Sequence, residues 1–344
     1  MIAERITAAF RVPLRSLAQV VDEALGRDIT LPSAIDAPRH EIQTSDAGTI
    51  AYYADTSARG RPLVLLHGVH AAASSYEMKP LFDYFRSERP VYALDMPGFG
   101  FSERASRAYA PATFVHAIEH MLRNVSIREP VDVVALSLTG EYLAKVAVEM
   151  PELVRSLVLI SPTGFASERE QGWLEKLSRK RARMLPTGWS DTLPSRLLYE
   201  LIVSRPSIRY YLRKSFHERI DEGMAAYAYA TSHQLGAFHA PMSFLSGALF
   251  PRGQATNIYR HVHVPTLVLY DQDPYTGFSA LTEFAEQHPN FQMQRVAPSH
   301  GLPQFDLPEE SIEAIREFLE HQDQRRVPNK VLKGTFGHAR VGSA

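Results

Sequence analysis

Short apolar runs alternate with helix-like stretches from about residue 41 onwards, and this alternation constrains the fold more than any other feature. The runs predicted to be strands are residues 49–53, 62–66, 91–94, 131–136, 157–160, 266–270 and 291–296. The helices predicted between them begin near Glu77, Ala112, Leu138, Phe278 and Glu310. Runs such as LVLL and VDVVAL are apolar without alternation, which is typical of strands buried on both faces. The sequence therefore predicts an α/β fold, in which a mostly parallel sheet has helices on each side.

The alternation stops between about residues 162 and 262. This stretch is helix-like, rich in Arg, Leu, Tyr and Ala, and interrupted by several prolines. A strand pattern then resumes with VPTLVLY. We interpret residues 163–262 as a helical cap inserted into a core formed by residues 41–162 and 263–322.

The two terminal segments differ from the core. Residues 1–40 begin with an apolar stripe at helical spacing, which predicts an amphipathic helix. It could lie on a membrane surface, but we favour docking on its own domain, as amphipathic helices in soluble chains usually face a core. Glu4, Arg5, Arg11 and Arg15 interrupt any signal-peptide core, and no run reaches the ~20 apolar residues that span a bilayer. We expect a cytoplasmic protein, with a loosely ordered tail at residues 323–344.

Composition excludes several functions. The chain has 37 basic and 38 acidic residues, and this balance leaves no net field to collect nucleic acid or an anionic membrane. The basic run EKLSRKRAR is expected to be a solvated helix face. The absence of cysteine removes disulfides, thiolate metal sites and a thiol nucleophile. A small-molecule substrate is the expected partner.

The segment VDVVALSLTGEYLAKVAVEM places Ser137 between a buried strand and a helix. In a nucleophile elbow, a serine sits on such a strained turn, and small neighbours leave its hydroxyl clear of the sheet. The N-terminus of the following helix favours developing negative charge. Many serines in this position are only helix N-caps, so the assignment depends on the other motifs.

The segment PLVLLHGVHAAASS ends a strand at His67 and Gly68 and continues as a loop of small residues. In sites of this kind, the oxyanion is held by the N–H after the nucleophile and by one N–H from this earlier loop. The corresponding donors are Leu138 and Val69. Gly68 lets the backbone approach the substrate. We expect His67 to hold the loop by hydrogen bonds and His70 to line the mouth of the pocket.

A third motif, DMPGFG, follows the strand at 91–94 and begins at Asp95. Its glycines and proline predict a tight turn. The G-x-x-x-x-G-K-[ST] spacing of a phosphate-binding loop is absent. We therefore expect the motif to shape the floor of the pocket.

Candidate acids and a candidate base follow the last two predicted strands. Asp271 and Asp273 come directly after TLVLY, and His300 follows the strand at 291–296. Ser137, Asp273 and His300 thus each lie just beyond the C-terminal end of a strand. Ligands of open α/β sheets bind at this edge.

Together, LLHG, DMPGFGFS, ALSLTG, the Asp-Pro after a strand and SHG with the downstream LPEE resemble the α/β-hydrolase superfamily, in its cap-bearing group. The resemblance covers roughly residues 41–320. It implies an eight-stranded, mostly parallel sheet, with Ser137 as nucleophile and His300 as base. It also implies an oxyanion hole formed by the N–H groups of Val69 and Leu138. This chemistry needs no metal or organic cofactor.

Two departures from the family pattern affect the site. Thr139 replaces the usual glycine and is expected to crowd the elbow or narrow the pocket. The acid loop is one residue shorter than the common G-x-x-D-P arrangement, so Asp271 stays an alternative to Asp273. We favour Asp273 because Asp-Pro matches the family and because Pro274 biases Asp273 towards an extended conformation. Asp273 is then predicted to hydrogen-bond His300, and Asp271 to bind backbone amides of its own loop.

A serine nucleophile argues against the dehalogenase and epoxide-hydrolase branches, whose nucleophile is an aspartate. The expected reaction is acyl transfer to water. Our first interpretation is a hydrolase of carboxylic esters of small to medium apolar substrates, with residues 163–262 as a lid over Ser137. A C–C bond hydrolase with the same triad, or a ligand-binding receptor with little turnover, are the alternatives.

Overall fold

The computed structural model describes residues 29–126, 129–167, 193–251 and 255–324. The strands in these ranges are β1 (Arg39–Gln43), β2 (Thr49–Asp55), β3 (Leu63–Leu66), β4 (Val91–Leu94), β5 (Val131–Leu136), β6 (Val154–Ile160), β7 (Thr266–Tyr270) and β8 (Phe291–Arg295). They form one sheet in the order β1-β2-β4-β3-β5-β6-β7-β8. β2 is antiparallel to both β1 and β4, and all other neighbours are parallel. The predicted α/β architecture with an eight-stranded, mostly parallel sheet is confirmed.

Helices follow the strands as the parallel connections require. The α-helices in the described ranges are α1 (Lys79–Phe85), α2 (Pro111–Val125), α3 (Thr139–Glu149), α4 (Leu193–Ile202), α5 (Arg205–Ser215), α6 (Glu222–Ser232), α7 (His239–Leu245), α8 (Ala255–Tyr259), α9 (Leu281–Gln287), α10 (Pro303–Asp306) and α11 (Pro308–Gln324). Alternate side chains of β5 enter different clusters. Val133 and Ala135 pack with α2 and α3 on one face, whereas Val134 and Leu136 pack with α1 and α11 on the other. No described helix is both long and apolar enough to cross a membrane.

Helices α4 to α8 lie within the residues predicted to form the cap, and α7 contacts the loop after β4. Gly98, after β4, has φ of 87°, and a Cβ there would lie 2.5 Å from the Cβ of Ala240 on α7. A side chain at position 98 would therefore separate α7 from this loop. The lid itself stays a prediction. The N-terminal residues 1–28, the run EKLSRKRAR and the tail from residue 325 lie outside the described residues.

A buried ion-pair network joins the starts of β5 and β6. Asp132 is fully buried, and its Oδ1 accepts hydrogen bonds from Arg155 Nε at 2.6 Å and from Ser156 Oγ at 2.5 Å. Its Oδ2 accepts from Arg89 Nη1 at 3.1 Å and from Arg155 Nη2. Removal of one charge from such a network leaves the others buried without compensation. The network lies at the opposite end of β5 from Ser137, about 16 Å away at the usual rise per residue.

We predict that Asp132→Asn lowers the free energy of unfolding by about 3–5 kcal/mol, because two arginines lose their buried counter-charge. Denaturation in urea measures the change. Asp323→Asn is the matched control, as Asp323 binds Arg155 from a half-exposed position and is expected to cost less than about 1 kcal/mol. Equal losses in the two variants would contradict the prediction.

A second buried carboxyl lies in the first turn of α3. Glu141 is 6% exposed, accepts a hydrogen bond from the hydroxyl of Thr163 and lies close enough to Tyr259 to affect its ionisation. Burial raises the pKa of Glu141 to about 7, and the Thr163 hydrogen bond opposes this shift only in part. The folded protein therefore binds a proton at Glu141 that the unfolded chain releases at lower pH.

We predict that Glu141→Gln removes a pH-dependent loss of stability. A carboxyl with a raised pKa contributes full stability below its unfolded value, and this contribution is lost as the pH rises through about 7. The variant should match the wild type near pH 4 and exceed it by roughly 3 kcal/mol at pH 8. Urea denaturation across this range checks the difference. Parallel curves for the two proteins would show that the carboxyl is not buried as described.

Candidate active site

Ser137 occupies the turn between β5 and α3 in a strained conformation. Its φ is 55°, in the left-handed region that residues other than glycine rarely adopt. Its N–H donates to the carbonyl of Ile160 at 2.9 Å, and its carbonyl accepts from the N–H of Gly140 at 3.0 Å. Such strain costs about 1–3 kcal/mol and persists where surrounding contacts fix the backbone. The side chain is half-buried, and its hydroxyl forms no hydrogen bond with a described residue.

Thr139 links this turn to the loop after β3. Its side chain is fully buried, and its hydroxyl donates to the carbonyl of His67 at 2.7 Å. The residue expected to crowd the elbow is thus accommodated, because its hydroxyl has an acceptor on the neighbouring loop.

His67 holds the loop after β3 from inside the protein. Its ring is fully buried, Nδ1 lies 2.6 Å from the carbonyl of Gly68, and Nε2 lies 2.9 Å from the N of Met96. These partners assign the proton to Nδ1, with Nε2 accepting from the Met96 N–H. Burial lowers the pKa of His67 and favours this neutral form. The contacts agree with the loop-holding role that we predict for this residue.

The two predicted oxyanion donors follow these fixed points. Val69 and Leu138 have buried side chains, and their N–H groups donate to no acceptor in the part of the chain that the structure describes. Buried N–H groups are nearly always paired. Two such groups beside Ser137 and Gly68 are therefore available to a ligand oxygen.

Glu77 fixes both neighbours of Val69. Its Oε2 accepts from the N–H of Gly68 at 2.8 Å, and its Oε1 lies 2.5 Å from Nε2 of His70. Burial raises its pKa, but His70, His67 and the Gly68 N–H outweigh this effect, so that the pKa lies below its usual value. Sequence reasoning missed this role of Glu77. The sequence feature that could have indicated this role is an acidic residue shortly after a loop that contains two histidines.

His70 was expected at the mouth of the pocket. Its side chain is 46% exposed, and Glu77 holds its ring by Nε2. His70 therefore both faces solvent and stabilises the loop that carries Val69.

Asp271 is held away from His300. Its carboxylate accepts from Arg295 Nε at 2.7 Å and from the N–H of Ser299 at 2.9 Å. The expectation that it binds amides of its own loop is wrong, because both partners belong to β8 and the segment after it. Asp271 instead ties the end of β7 to the segment that carries His300.

Asp273 lies directly against the His300 loop. A Cβ at Gly301 would be 3.0 Å from its Oδ2, and its Oδ1 accepts from the N–H of Tyr275 at 2.7 Å. Burial raises the pKa of Asp273 to about 6, whereas backbone N–H groups and His300 lower it. In this environment, a positively charged imidazolium nearby stabilises the ionised form of the carboxyl.

The hydrogen bond predicted between His300 and Asp273 is not formed in this structure. Nδ1 of His300 lies 3.1 Å from the carbonyl oxygen of Phe216, in the segment between α5 and α6. The N–H of His300 donates to Oδ2 of Asp306 at 2.9 Å. The prediction failed because the cap supplies a competing acceptor. Sequence reasoning missed Phe216 and Asp306, since a backbone carbonyl leaves no pattern and Asp306 is a single acid before LPEE.

The described ranges contain no group of three or more His, Asp or Glu side chains that could hold a metal ion.

Comparison with known proteins places these features in a family. The model of the alpha/beta hydrolase family matches residues 63–314. A probable 1-acylglycerol-3-phosphate O-acyltransferase of Oryza sativa is 30% identical over 129 residues, which are 36% of this chain and 30% of that protein. The 2-hydroxymuconate semialdehyde hydrolase of Pseudomonas sp. is 31% identical over 118 residues, 34% of this chain and 41% of that protein. The chain thus spans less than half the length of either relative.

A solved structure, that of a thermophilic esterase from Thermogutta terrifontis, superposes with a TM-score of 0.63 at 18% identity. The match covers 83% of this chain and 99% of the esterase. This likeness concerns the fold, whereas the family match covers most of the sequence. The chain belongs to the alpha/beta hydrolase family.

Proposed function

We propose that the protein is a serine hydrolase that cleaves carboxylic esters of small to medium apolar substrates through an acyl-enzyme on Ser137. The observation that carries the proposal is the strained conformation of Ser137 beside the available N–H groups of Val69 and Leu138. A serine used only to cap a helix needs neither feature.

In the proposed reaction, Ser137 Oγ attacks the ester carbonyl while Nε2 of His300 accepts its proton. The oxyanion receives hydrogen bonds from Val69 and Leu138, and the N-terminus of α3 favours its charge. His300 then protonates the departing alcohol. A water molecule, deprotonated by His300, hydrolyses the acyl-enzyme and frees Ser137. Asp273 fixes the tautomer of His300 and stabilises the imidazolium.

An aromatic cluster next to His300 supports an apolar substrate. Phe216, whose carbonyl faces His300, has its ring centroid 5.7 Å from that of Phe305. Phe305 stacks with Tyr76 at 6.5 Å, and Tyr76 lies 5.6 Å from Tyr227 on α6. The cluster therefore joins core and cap beside the proposed base. A substrate group that reaches this cluster meets aromatic side chains, which favours an aliphatic or aromatic group.

The local similarity to a 2-hydroxymuconate semialdehyde hydrolase favours C–C bond cleavage as the second candidate. In that case Ser137 attacks a ketone carbonyl and the C–C bond breaks. The departing carbon takes the proton held by His300, and water then hydrolyses the acyl-enzyme. A panel that contains short-chain nitrophenyl esters and vinylogous diketones separates the two activities by their relative kcat/KM.

We predict that Ser137→Ala leaves the fold intact and lowers ester turnover by several orders of magnitude, since the nucleophile is lost. Turnover of nitrophenyl esters and labelling by a fluorophosphonate measure the effect. The matched control is Ser161→Ala. Ser161 directly follows the adjacent strand β6 with φ of 42°, and its buried hydroxyl has no partner among the described residues.

Ser161→Ala should stay within about threefold of the wild type, because its hydroxyl has no part in the reaction. Undiminished turnover in Ser137→Ala would refute the serine mechanism. A wild-type protein that neither hydrolyses the panel nor takes the label would favour the receptor alternative.

We predict that Asp273→Asn lowers kcat by about 10⁴-fold, as tautomer control is lost. Asp271→Asn should act mainly on stability, because it weakens the bonds to Arg295 and Ser299. Steady-state kinetics with urea denaturation of both variants separates the effects. The reverse ranking of kcat would identify Asp271 as the acid of the triad.

A further inference from the structure

One peptide unit of the cap contacts the base loop through both of its polar atoms. This unit joins Phe216 to His217, between α5 and α6. Its carbonyl lies 3.1 Å from Nδ1 of His300, and its N–H donates to Oδ1 of Asp306 at 2.9 Å. A peptide held at both ends has one orientation relative to His300.

Asp306 adds a second connection between the cap peptide and the base loop. Its second oxygen, Oδ2, accepts from the N–H of His300 at 2.9 Å. The carboxylate thus bridges the backbone of His300 and the backbone of His217. The His217 ring also meets the His300 ring edge to face, with centroids 5.3 Å apart at 88°. Hydrogen bonds to a charged acceptor are stronger than those between neutral groups.

The cap peptide and Asp273 compete for one proton. A neutral imidazole carries a single N–H. With Nε2 directed at the nucleophile, that proton must be on Nδ1 and face the acid. In this structure it faces Phe216, while Asp273 lies against Gly301 and accepts from Tyr275. The described orientation is therefore a resting one for the proposed reaction.

We propose that Asp306 is a positioning residue that couples the cap to the base, since it fixes the Phe216–His217 peptide that holds His300 away from Asp273. A substrate group that displaces this peptide lets His300 turn to Asp273. The inference rests on the proposed function, because it concerns the same base.

The packing of Phe216 explains how a substrate group could displace the Phe216–His217 peptide. Its side chain is 3% exposed and meets Phe305, which belongs to the aromatic cluster described above. An apolar group that enters this cluster must move Phe216, and the adjoining peptide moves with it. Cores are packed densely enough that such a shift cannot be absorbed locally.

The test removes one N–H. His217→Pro abolishes the donor to Asp306 and leaves the Phe216 carbonyl in place. Phe216 has φ of −108° and ψ of 140°, an extended conformation that a following proline favours. His217→Ala is the matched control, because it removes the ring and keeps the N–H.

We expect His217→Pro to raise kcat for a short nitrophenyl ester about fivefold, as one hydrogen bond of about 1 kcal/mol is lost. The alanine variant loses the same ring contact with His300 but keeps the N–H, so its kcat should rise clearly less than that of the proline variant.

Asp306→Asn tests the coupling itself. An amide has one acceptor oxygen and cannot hold both N–H groups. Since His217→Pro and Asp306→Asn break the same link, adding His217→Pro to the Asp306→Asn protein should change kcat no further. Independent, multiplying effects would overturn the coupling.

The Nδ1 proton gives a readout that mere loss of stability does not move. In full-length protein with ¹⁵N-labelled histidine, the His300 Nδ1–H resonance should move downfield in His217→Pro, because a carboxylate replaces a carbonyl as acceptor. Asp273→Asn should abolish this shift.

A fluorophosphonate bound to Ser137 should produce the same movement in the wild type, so the test does not depend on the folding of the proline variant. A resonance that moves in neither case overturns the proposal. Absence of labelling and ester turnover in the wild type overturns the proposed function instead, while the shift in His217→Pro still tests the contact.

Discussion

Carboxylates that accept hydrogen bonds from backbone N–H groups hold the loops at the C-terminal ends of the strands. Glu77 binds the N–H of Gly68, Asp271 that of Ser299, and Asp306 those of His300 and His217. A parallel sheet brings strand ends to one edge but does not determine how the loops beyond them turn. The side chains of Glu77 and Asp271 are almost inaccessible to solvent, so their carboxylates need hydrogen-bond partners, and these pairings restrict how the loops turn. The geometry of the candidate site therefore depends on these pairings as well as on the sheet.

Burial has opposite consequences for stability and for the proposed chemistry at Asp273. Desolvation raises its pKa to about 6, so its ionisation destabilises the folded protein as the pH rises. The same desolvation strengthens the attraction between the ionised acid and a nearby imidazolium. If the carboxyl lay in open solvent, its ionisation would reduce the stability of the folded protein less. It would, however, also stabilise the charged imidazole less. The acid of the proposed triad therefore lies where its charged form lowers the stability of the folded protein.

The sequence predicted seven of the eight strands, including β8, of which four of the five residues are exposed, and it missed β1. Strands β3 to β7 are apolar runs, so their existence follows from composition alone, although β6 begins at Val154, earlier than predicted. β1 has the sequence RHEIQ and four of its five residues are exposed, so it has no such signal. Its position at the sheet edge follows from pairing with β2.

In the site, motif spacing placed Ser137, Asp273 and His300 on loops at one edge of the sheet. It did not predict the acceptor of the His300 ring, because that acceptor is a backbone carbonyl 84 positions earlier in the chain. The pairing of Asp271 with Arg295 was missed for a related reason. Alternation along a strand indicates which face a side chain takes, but it does not indicate how the chain turns after the strand ends.

The hydrogen bond from Thr139 to His67 ties the turn that carries Ser137 to the loop that carries Val69. The distance between the two candidate oxyanion donors, the N–H groups of Val69 and Leu138, is then determined by contacts within the core. The orientation of His300, by contrast, depends on a cap peptide. On the proposed function, substitutions in the cap would change which substrates are accepted and when His300 becomes available, without altering the N–H groups of Val69 and Leu138. Selectivity and catalytic power are separable in such an arrangement, and the cap can diverge while the core stays fixed.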